Sequence, residues 1–224
     1  MRTINLVVIH CSASADGVSL ARFAPGAPVA LTAAQVIDDW HRQRGFRRAA
    51  LDDEDLVPFN PLLPHIGYHY VIDIDGVVET GRGLDEVGAH AAGFNAASIG
   101  ICMVGTKRYT PAQWQALTGL LAGGLPLGTQ SGLLAQFHIP WRTPRRIYLR
   151  GSTRVRVVDG VCGHRDLSID QNRNGEVEPF EWMRTCPGYD VRTWLLSGFV
   201  PSPENVFDPP PNHEDHPDRV TAAV

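Results

Sequence analysis

His10, His164 and Cys186 are residues of this 224-residue chain whose side chains suit one another chemically. His10 ends the apolar run "INLVVIH", His164 follows another in "VCGHRD", and Cys186 stands in "TCPGYD". Two imidazoles and a thiolate are a ligand set that zinc takes readily. Three protein ligands would leave a fourth position for water or substrate, as catalytic zinc sites do. Scattered this widely, the three carry no local signature, so spacing alone does not establish that they meet. A lone histidine at a strand end is otherwise a hydrogen-bonded structural residue.

A second pattern, of different chemistry, lies between His164 and Cys186. "DQNRNGEVEPFE" meets every fixed position of D-x-[DN]-x-[DN]-G-x5-E, with Asp170, Asn172 and Asn174 alternating, Gly175 next and Glu181 closing. Alternate side chains of a tight loop converge on one point, the glycine permits the turn, and the distant glutamate adds two oxygens. The backbone carbonyl of Glu176 would serve the seventh position, and Glu178 the ninth, directly or through water. The pattern reads as a calcium loop of lowered charge, because two amides replace carboxylates. Its alternative is a solvated polar loop, since no clear helix precedes Asp170.

The surrounding elements must position these groups. "INLVVIH" and "SIGICMVG" have the short β-branched runs of buried strands. "GYHYVIDIDGVVETG" predicts a hairpin turning at Asp75-Gly76, residues that accept the positive φ of tight turns. Thr32 with Gln35, and Thr110 with Pro111 and Gln113, are helix-start signals. They predict helices from about Thr32 to Arg44 and from Thr110 to the glycine pair. A last helix is predicted after Asp190, ending at Gly198. "PWRTPRRIYLRGSTRVRVVDG" suggests a basic hairpin turning at Gly151-Ser152. Strands mixed with helices imply an α/β fold, a single domain with a central mixed sheet flanked by helices.

Composition narrows the function classes. Apolar residues make up 43% and charged residues 20%, which suits a folded globular chain. A formal net charge of -4 supplies no broad basic field, so nucleic acid is not an expected partner. No apolar run approaches the roughly 20 residues of a membrane span, and the opening "MRTINLVVIHCSAS" is unlike a signal peptide. Synthesis in the cytoplasm is the expectation. The four cysteines suggest reduced thiols, with Cys102 and Cys162 as buried apolar filler.

"VVIHCSAS", "WHRQRGF", "IGYHYVIDIDGVVETGR", "VGAHAAGFNAASIGICMVG", "TPAQWQAL" and "GHRD…TCPGYDV" stand in one order over most of residues 4–198. In these blocks the chain resembles the zinc-dependent N-acetylmuramoyl-L-alanine amidases of the phage lysozyme and peptidoglycan-recognition family. The resemblance implies a peptidoglycan hydrolase cutting the amide between N-acetylmuramic acid and L-alanine, with zinc on His10, His164 and Cys186. It places the family's active-site tyrosine on Tyr68 and lines the substrate cleft with His90 and Asn95. Two residues before the ligand cysteine the family usually has Lys or Thr. This chain has Arg184, whose permanent, forked charge suits an oxyanion or a carboxylate and not a proton shuttle.

Without the resemblance, Tyr68 is a packed strand residue, Arg184 a solvated charge, and His90 with Asn95 a turn-stabilising pair. His69 should face away from Tyr68 if that segment is extended. In compact relatives the second histidine and the cysteine stand only a few residues apart, so the calcium loop would fold an insertion that delivers Cys186 and Arg184.

The expected organisation is a catalytic domain over residues 1–200, with insertions at about 47–65 and 125–159 and the calcium loop at 170–181. A Pro- and acid-rich tail, flexible or draped on the surface, is expected over 201–224. The expected molecule is a monomeric endolysin of a phage or prophage, acting on the cell wall after release. A muropeptide-recycling amidase or a secreted antibacterial effector would look the same. A peptidoglycan-binding or calcium-responsive interaction module is the non-enzyme alternative.

Overall fold

The computed structural model describes residues 2–23, 30–48, 60–124, 131–148 and 155–208. At its centre is β1 (Leu6–Cys11), whose first four residues are wholly inaccessible to water. Burying each of these aliphatic side chains contributes about 1.5–3 kcal/mol. They form one unbroken apolar run, as expected of a parallel strand covered on both faces.

β1 pairs in parallel with β6 (Ser98–Met103) on one side and β9 (Gly160–Gly163) on the other. β4 (Tyr70–Ile72) continues the parallel sheet beyond β6, and β5 (Val78–Thr80) closes that edge antiparallel to β4. The resulting order is β5-β4-β6-β1-β9, the mixed sheet expected from the sequence. The β4–β5 turn falls where Asp75-Gly76 predicts it: Gly76 has φ +82°, and its N–H donates to Asp73 O at 2.9 Å.

Alternation along β1 divides the core. Val7 and Ile9 point to the face covered by α2 (Pro111–Ala122) and α4 (Val191–Leu196), packing in one cluster with Trp114, Leu117, Val191 and Trp194. α1 (Ala33–Gln43) covers the opposite face, where Val36 and Ile37 meet Val71 and Cys102. Leu6 and Val8 also leave β1 away from α2, and meet Cys162 and Val157. Both predicted capping boxes form, at Thr32/Gln35 and Thr110/Gln113, and Asp190 caps α4 by accepting from Thr193 N at 2.6 Å.

Smaller elements decorate this frame. β2 (Arg22–Phe23) pairs with β3 (Ala30–Leu31), and α3 (Leu133–Gln136) packs on α2. β7 (Arg145–Tyr148) and β8 (Val155–Val158) form the basic hairpin read from the sequence. Its expected turn at Gly151-Ser152 lies outside the described residues, as does most of the 47–65 insertion. Among the described residues no helix is long and apolar enough to cross a membrane.

Residues 201–208 take the surface-draped form of the expected tail. Val206 bridges Tyr109, and the Tyr109 N–H donates to Asn205 O at 2.9 Å while Phe207 N–H donates to Tyr109 O at 2.8 Å. The Phe207 ring stacks under Arg108, its centroid 5.4 Å from the guanidinium carbon. Two backbone bonds and an apolar ring hold a segment whose composition suggests a loose tail. Residues 209–224 lie outside the described residues.

Tyr109 is wholly buried, and its hydroxyl donates to Pro187 O at 2.6 Å, joining the start of α2 to the segment that carries Cys186. Removing it leaves a buried carbonyl without that donor. Tyr109→Phe should lower unfolding free energy by about 1–2 kcal/mol, read as a lower urea midpoint at unchanged slope.

Candidate functional site

The register of β1 and β9 builds the site. Val8 lies opposite Cys162 and Ile9 opposite Gly163, so His10 emerges beside His164, the residue that follows β9. Their ring centroids are 4.6 Å apart. Both stand at carboxyl ends of parallel strands, where open α/β sheets place their ligands.

Cys186 reaches the same point from a loop fastened at several places. Its Sγ accepts the Cys11 N–H at 3.0 Å, and its carbonyl accepts the Arg165 N–H at 2.8 Å. Arg165 in turn lies over the Trp182 ring at 4.1 Å and pairs with Asp190 at 3.0 Å. Gly163 has no room for a side chain, because a Cβ there would come within 2.4 Å of Pro187 Cδ. The outcome is that one ligand atom from each of His10, His164 and Cys186 lies within 4.8 Å of the others, a group able to hold a metal ion. Sequence reading named all three but missed Cys11, whose backbone N–H supports the sulfur. Its position directly after His10 was the available signal.

The electrostatics suit a cation. Burial, followed by the neighbouring His90 and His164 rings, holds His10 well below the usual histidine range. Burial, then Arg184, brings His164 down to about 4. Both rings are therefore neutral near pH 7 and can offer a lone pair. The Cys186 thiol is pushed up by its hydrogen bond with Cys11 and then by burial. Two neutral imidazoles and a half-buried sulfur that accepts the Cys11 N–H make a donor set that suits a zinc-like ion.

His164 opens onto a cleft of about 990 Å³ whose walls include Phe46, Phe94, His90, Asn95 and Arg184. Tyr68 lies behind it, its ring centroid 5.1 Å from that of His10, and burial raises its hydroxyl well above the usual tyrosine range. The phenol is a donor at neutral pH. Arg184 is exposed on the cleft wall, and its charge is felt by both His10 and His164.

His90 and Asn95 face the cleft, yet their bonds run inward. Asn95 Oδ1 accepts from His90 N at 3.0 Å and Ala91 N at 2.8 Å, and His90 Nδ1 lies 3.0 Å from His10 Nε2. The turn-stabilising alternative thus describes the Asn95 oxygen. His69 points away from Tyr68, as alternation predicts: it is wholly buried, and its Nδ1 accepts from Gly100 N at 3.0 Å.

The 170–181 loop folds on its own bonds, after a 3-10 turn at His164–Leu167 and ending in another at Pro179–Glu181. Gly175 N donates to Asp170 Oδ2 at 2.9 Å, Asn174 N to Asn172 Oδ1 at 2.9 Å, and Glu176 N to Asn174 Oδ1 at 2.9 Å. Gln171 N and Asn172 N donate to Glu181 Oε1 at 2.6 and 3.3 Å. Asp170 and Glu181 are buried, whereas the Glu176 side chain turns outward to Arg192 at 2.8 Å. Among the described residues its carboxylates form no second cluster like that of His10, His164 and Cys186.

The profile of the N-acetylmuramoyl-L-alanine amidase family matches residues 1–188. The chain belongs to this family. An uncharacterized protein of Haemophilus influenzae is 34% identical over 142 residues, which are 60% of this chain and 98% of that protein. The endolysin of Klebsiella phage KP32 is 32% identical over 123 residues, 51% of this chain. This chain spans 62% of the endolysin's own length. Among solved structures, the N-acetylmuramoyl-L-alanine amidase LysC from Clostridium intestinale URNW aligns at 22% identity with a TM-score of 0.46, covering 84% of this chain and 79% of that one.

Two further histidines tie this amidase-family fold to pH. His41 accepts from Gly67 N at 3.0 Å and stacks on Phe46, and burial, then Arg44, lowers it from 6.5 to about 4. Burial, then Arg2, lowers His69 from 6.5 to about 3. Both rings stay neutral in the fold while the unfolded chain takes up protons near pH 6.5, so protons favour unfolding between those values. Their contribution is present above about pH 6.5 and lost as pH falls toward 3 to 4. The urea midpoint should drop between about pH 7 and 4.5, and more shallowly in His41→Gln.

Proposed function

We propose that this chain is a zinc-dependent hydrolase that cuts the amide joining N-acetylmuramic acid to L-alanine in peptidoglycan. The observation that carries this reading is the convergence of His10, His164 and Cys186, with His164 on the wall of a cleft, in a chain of the amidase family. The three donors would hold zinc, which when bound polarises a carbonyl and makes water acidic enough to be a nucleophile near neutrality.

The chain's own residues supply the rest. Negative charge develops on the scissile carbonyl oxygen, and a donor aimed there lowers the barrier. Tyr68, kept protonated by burial, would give its hydroxyl proton to that hydrogen bond. Arg184 adds a fixed positive charge on the cleft wall, for the same oxygen or a stem-peptide carboxylate, but does not carry a proton between groups. Neutral His10 and His164 donate lone pairs and hold no exchangeable charge at the site. As an endolysin, this monomeric enzyme would act on the cell wall after release from the cell that makes it.

We assign the 170–181 loop to calcium. Its spacing meets the whole calcium-loop pattern, Asp170 and Glu181 are buried at its two ends, and Gly175 takes φ +95° at the required turn. The carbonyl of Glu176 and the amides of Asn172 and Asn174 would complete the oxygen set. Calcium would then steady the segment that delivers Arg184 and Cys186.

Digestion of purified sacculi tests the activity through the appearance of free L-alanine amino termini. His10→Ala and Cys186→Ala should each lose zinc and at least about 100-fold in rate, and Tyr68→Phe about 10- to 1000-fold in kcat with zinc retained. Binding of sacculi without cleavage would instead make the chain a peptidoglycan-binding module. Faster cleavage of soluble muropeptides than of sacculi would favour a recycling enzyme.

The calcium assignment has its own measurement. Calcium should raise Tm of the full chain, and Asp170→Ala or Glu181→Ala should abolish that rise. An unchanged calcium response in both variants removes the assignment and leaves the zinc site untouched.

A further inference from the structure

"VGAHAAGFNAASIG" surrounds His90 with residues whose placement is unusually tight. A Cβ on Gly88 would lie 2.4 Å from His90 Cδ2, and one on Gly100 would lie 2.5 Å from His90 Cγ. Glycine at both places makes the slot in which the ring stands. Asn95 holds the backbone N–H groups of His90 and Ala91, so the ring's root is fixed as well as its faces.

Both ring nitrogens have partners. His90 Nδ1 lies 3.0 Å from His10 Nε2, and His90 Nε2 lies 3.4 Å from Ser98 Oγ. Ser98 is wholly buried, and its Oγ stands 2.8 Å from Phe94 O. That carbonyl can only accept, so it takes the single hydroxyl proton, and Ser98 Oγ can then only accept from His90.

The direction of every remaining bond follows. Nε2 of His90 must carry the hydrogen. A neutral imidazole has one N–H, so His90 Nδ1 accepts, and the donor facing it is His10 Nε2. His10 is then left with a bare lone pair on Nδ1. Burial favours the neutral form of both rings, and the bonds alone set the tautomer.

We infer that Ser98 and His90 form a one-way hydrogen-bond relay, from His10 Nε2–H through His90 to the Phe94 carbonyl, which fixes His10 in the tautomer that leaves its Nδ1 lone pair for a metal. His90 is a positioning residue for a metal ligand and not a substrate contact, and Gly88, Asn95 and Gly100 hold it in place. The relay belongs to the chain itself, so it exists before metal binds. Its consequence for affinity rests on the zinc reading of the site.

Nitrogen-15 spectra of histidine-labelled, metal-free full chain test the relay directly. His10 and His90 should both show the Nε2–H tautomer, and Ser98→Ala should leave His90 with mixed tautomers. Zinc affinity, measured by competition with a chelator, should fall about 10- to 100-fold in His90→Ala. His90→Asn, whose Oδ1 can take the place of Nδ1 as acceptor, should recover most of that loss, and Ser98→Ala should fall between.

A Nδ1–H tautomer at His10 in the metal-free chain would overturn the inference. So would wild-type zinc affinity in His90→Ala with only KM for muropeptide raised, since that pattern belongs to a substrate ligand. Failure of the wild-type chain to take up zinc would instead defeat the zinc reading, while the tautomer spectra would still decide the relay.

Discussion

The pairing of β1 between two parallel neighbours is the constraint on which the site depends. Side chains alternate along a strand, so a fixed register determines which residues emerge together at its end. Pairing Val8 with Cys162 sends His10 and His164 out side by side, and pairing His10 with Cys102 sets it in the same row as the strand beneath His90. A slip of one residue would turn Val7 and Ile9 away from Trp114 and Leu117, exchanging buried aliphatic side chains for a buried imidazole. The core therefore enforces where His10 and His164 emerge.

Cys186 has no strand to place it and is held by a different kind of contact. The Arg165 and Cys11 backbone N–H groups, the Tyr109 hydroxyl on Pro187 and the close fit of Gly163 against Pro187 each fix one point of its loop. These are polar and steric restraints on a segment that follows a long insertion. Arg146 adds to them by donating to the carbonyls of Asp166 and Ser168. Through it the hairpin of β7 and β8 steadies the stretch between His164 and the 170–181 loop, beside the packing of Val157 on Val8 and Cys162.

Much of the fold was legible because its signals are local. The capping boxes at Thr32 and Thr110, the Asp190 cap and the turn at Gly76 each depend on neighbours within a few residues, and all formed as read. How residues 201–208 are held was not legible, for the converse reason. Proline and acidic residues suggest little to bury, and only the edge offered by Tyr109 shows what holds them. Asn95 likewise reads as a cleft residue in its motif, yet its oxygen serves two backbone N–H groups.

The residue types, their order and the resemblance they carry are properties of the sequence alone: two histidines and a cysteine suited to one metal, and a loop with calcium-type spacing. Tertiary structure decided what a linear chain cannot express. It brought three distant ligand atoms within 4.8 Å of one another, and it left the loop carboxylates closed on their own backbone N–H groups. It also set His90, a residue of the cleft wall, within hydrogen-bonding distance of His10. The physical reason is that ligand geometry and bond direction are set by register and by packing between remote segments, where a single hydroxyl proton on Ser98 is enough to orient two rings.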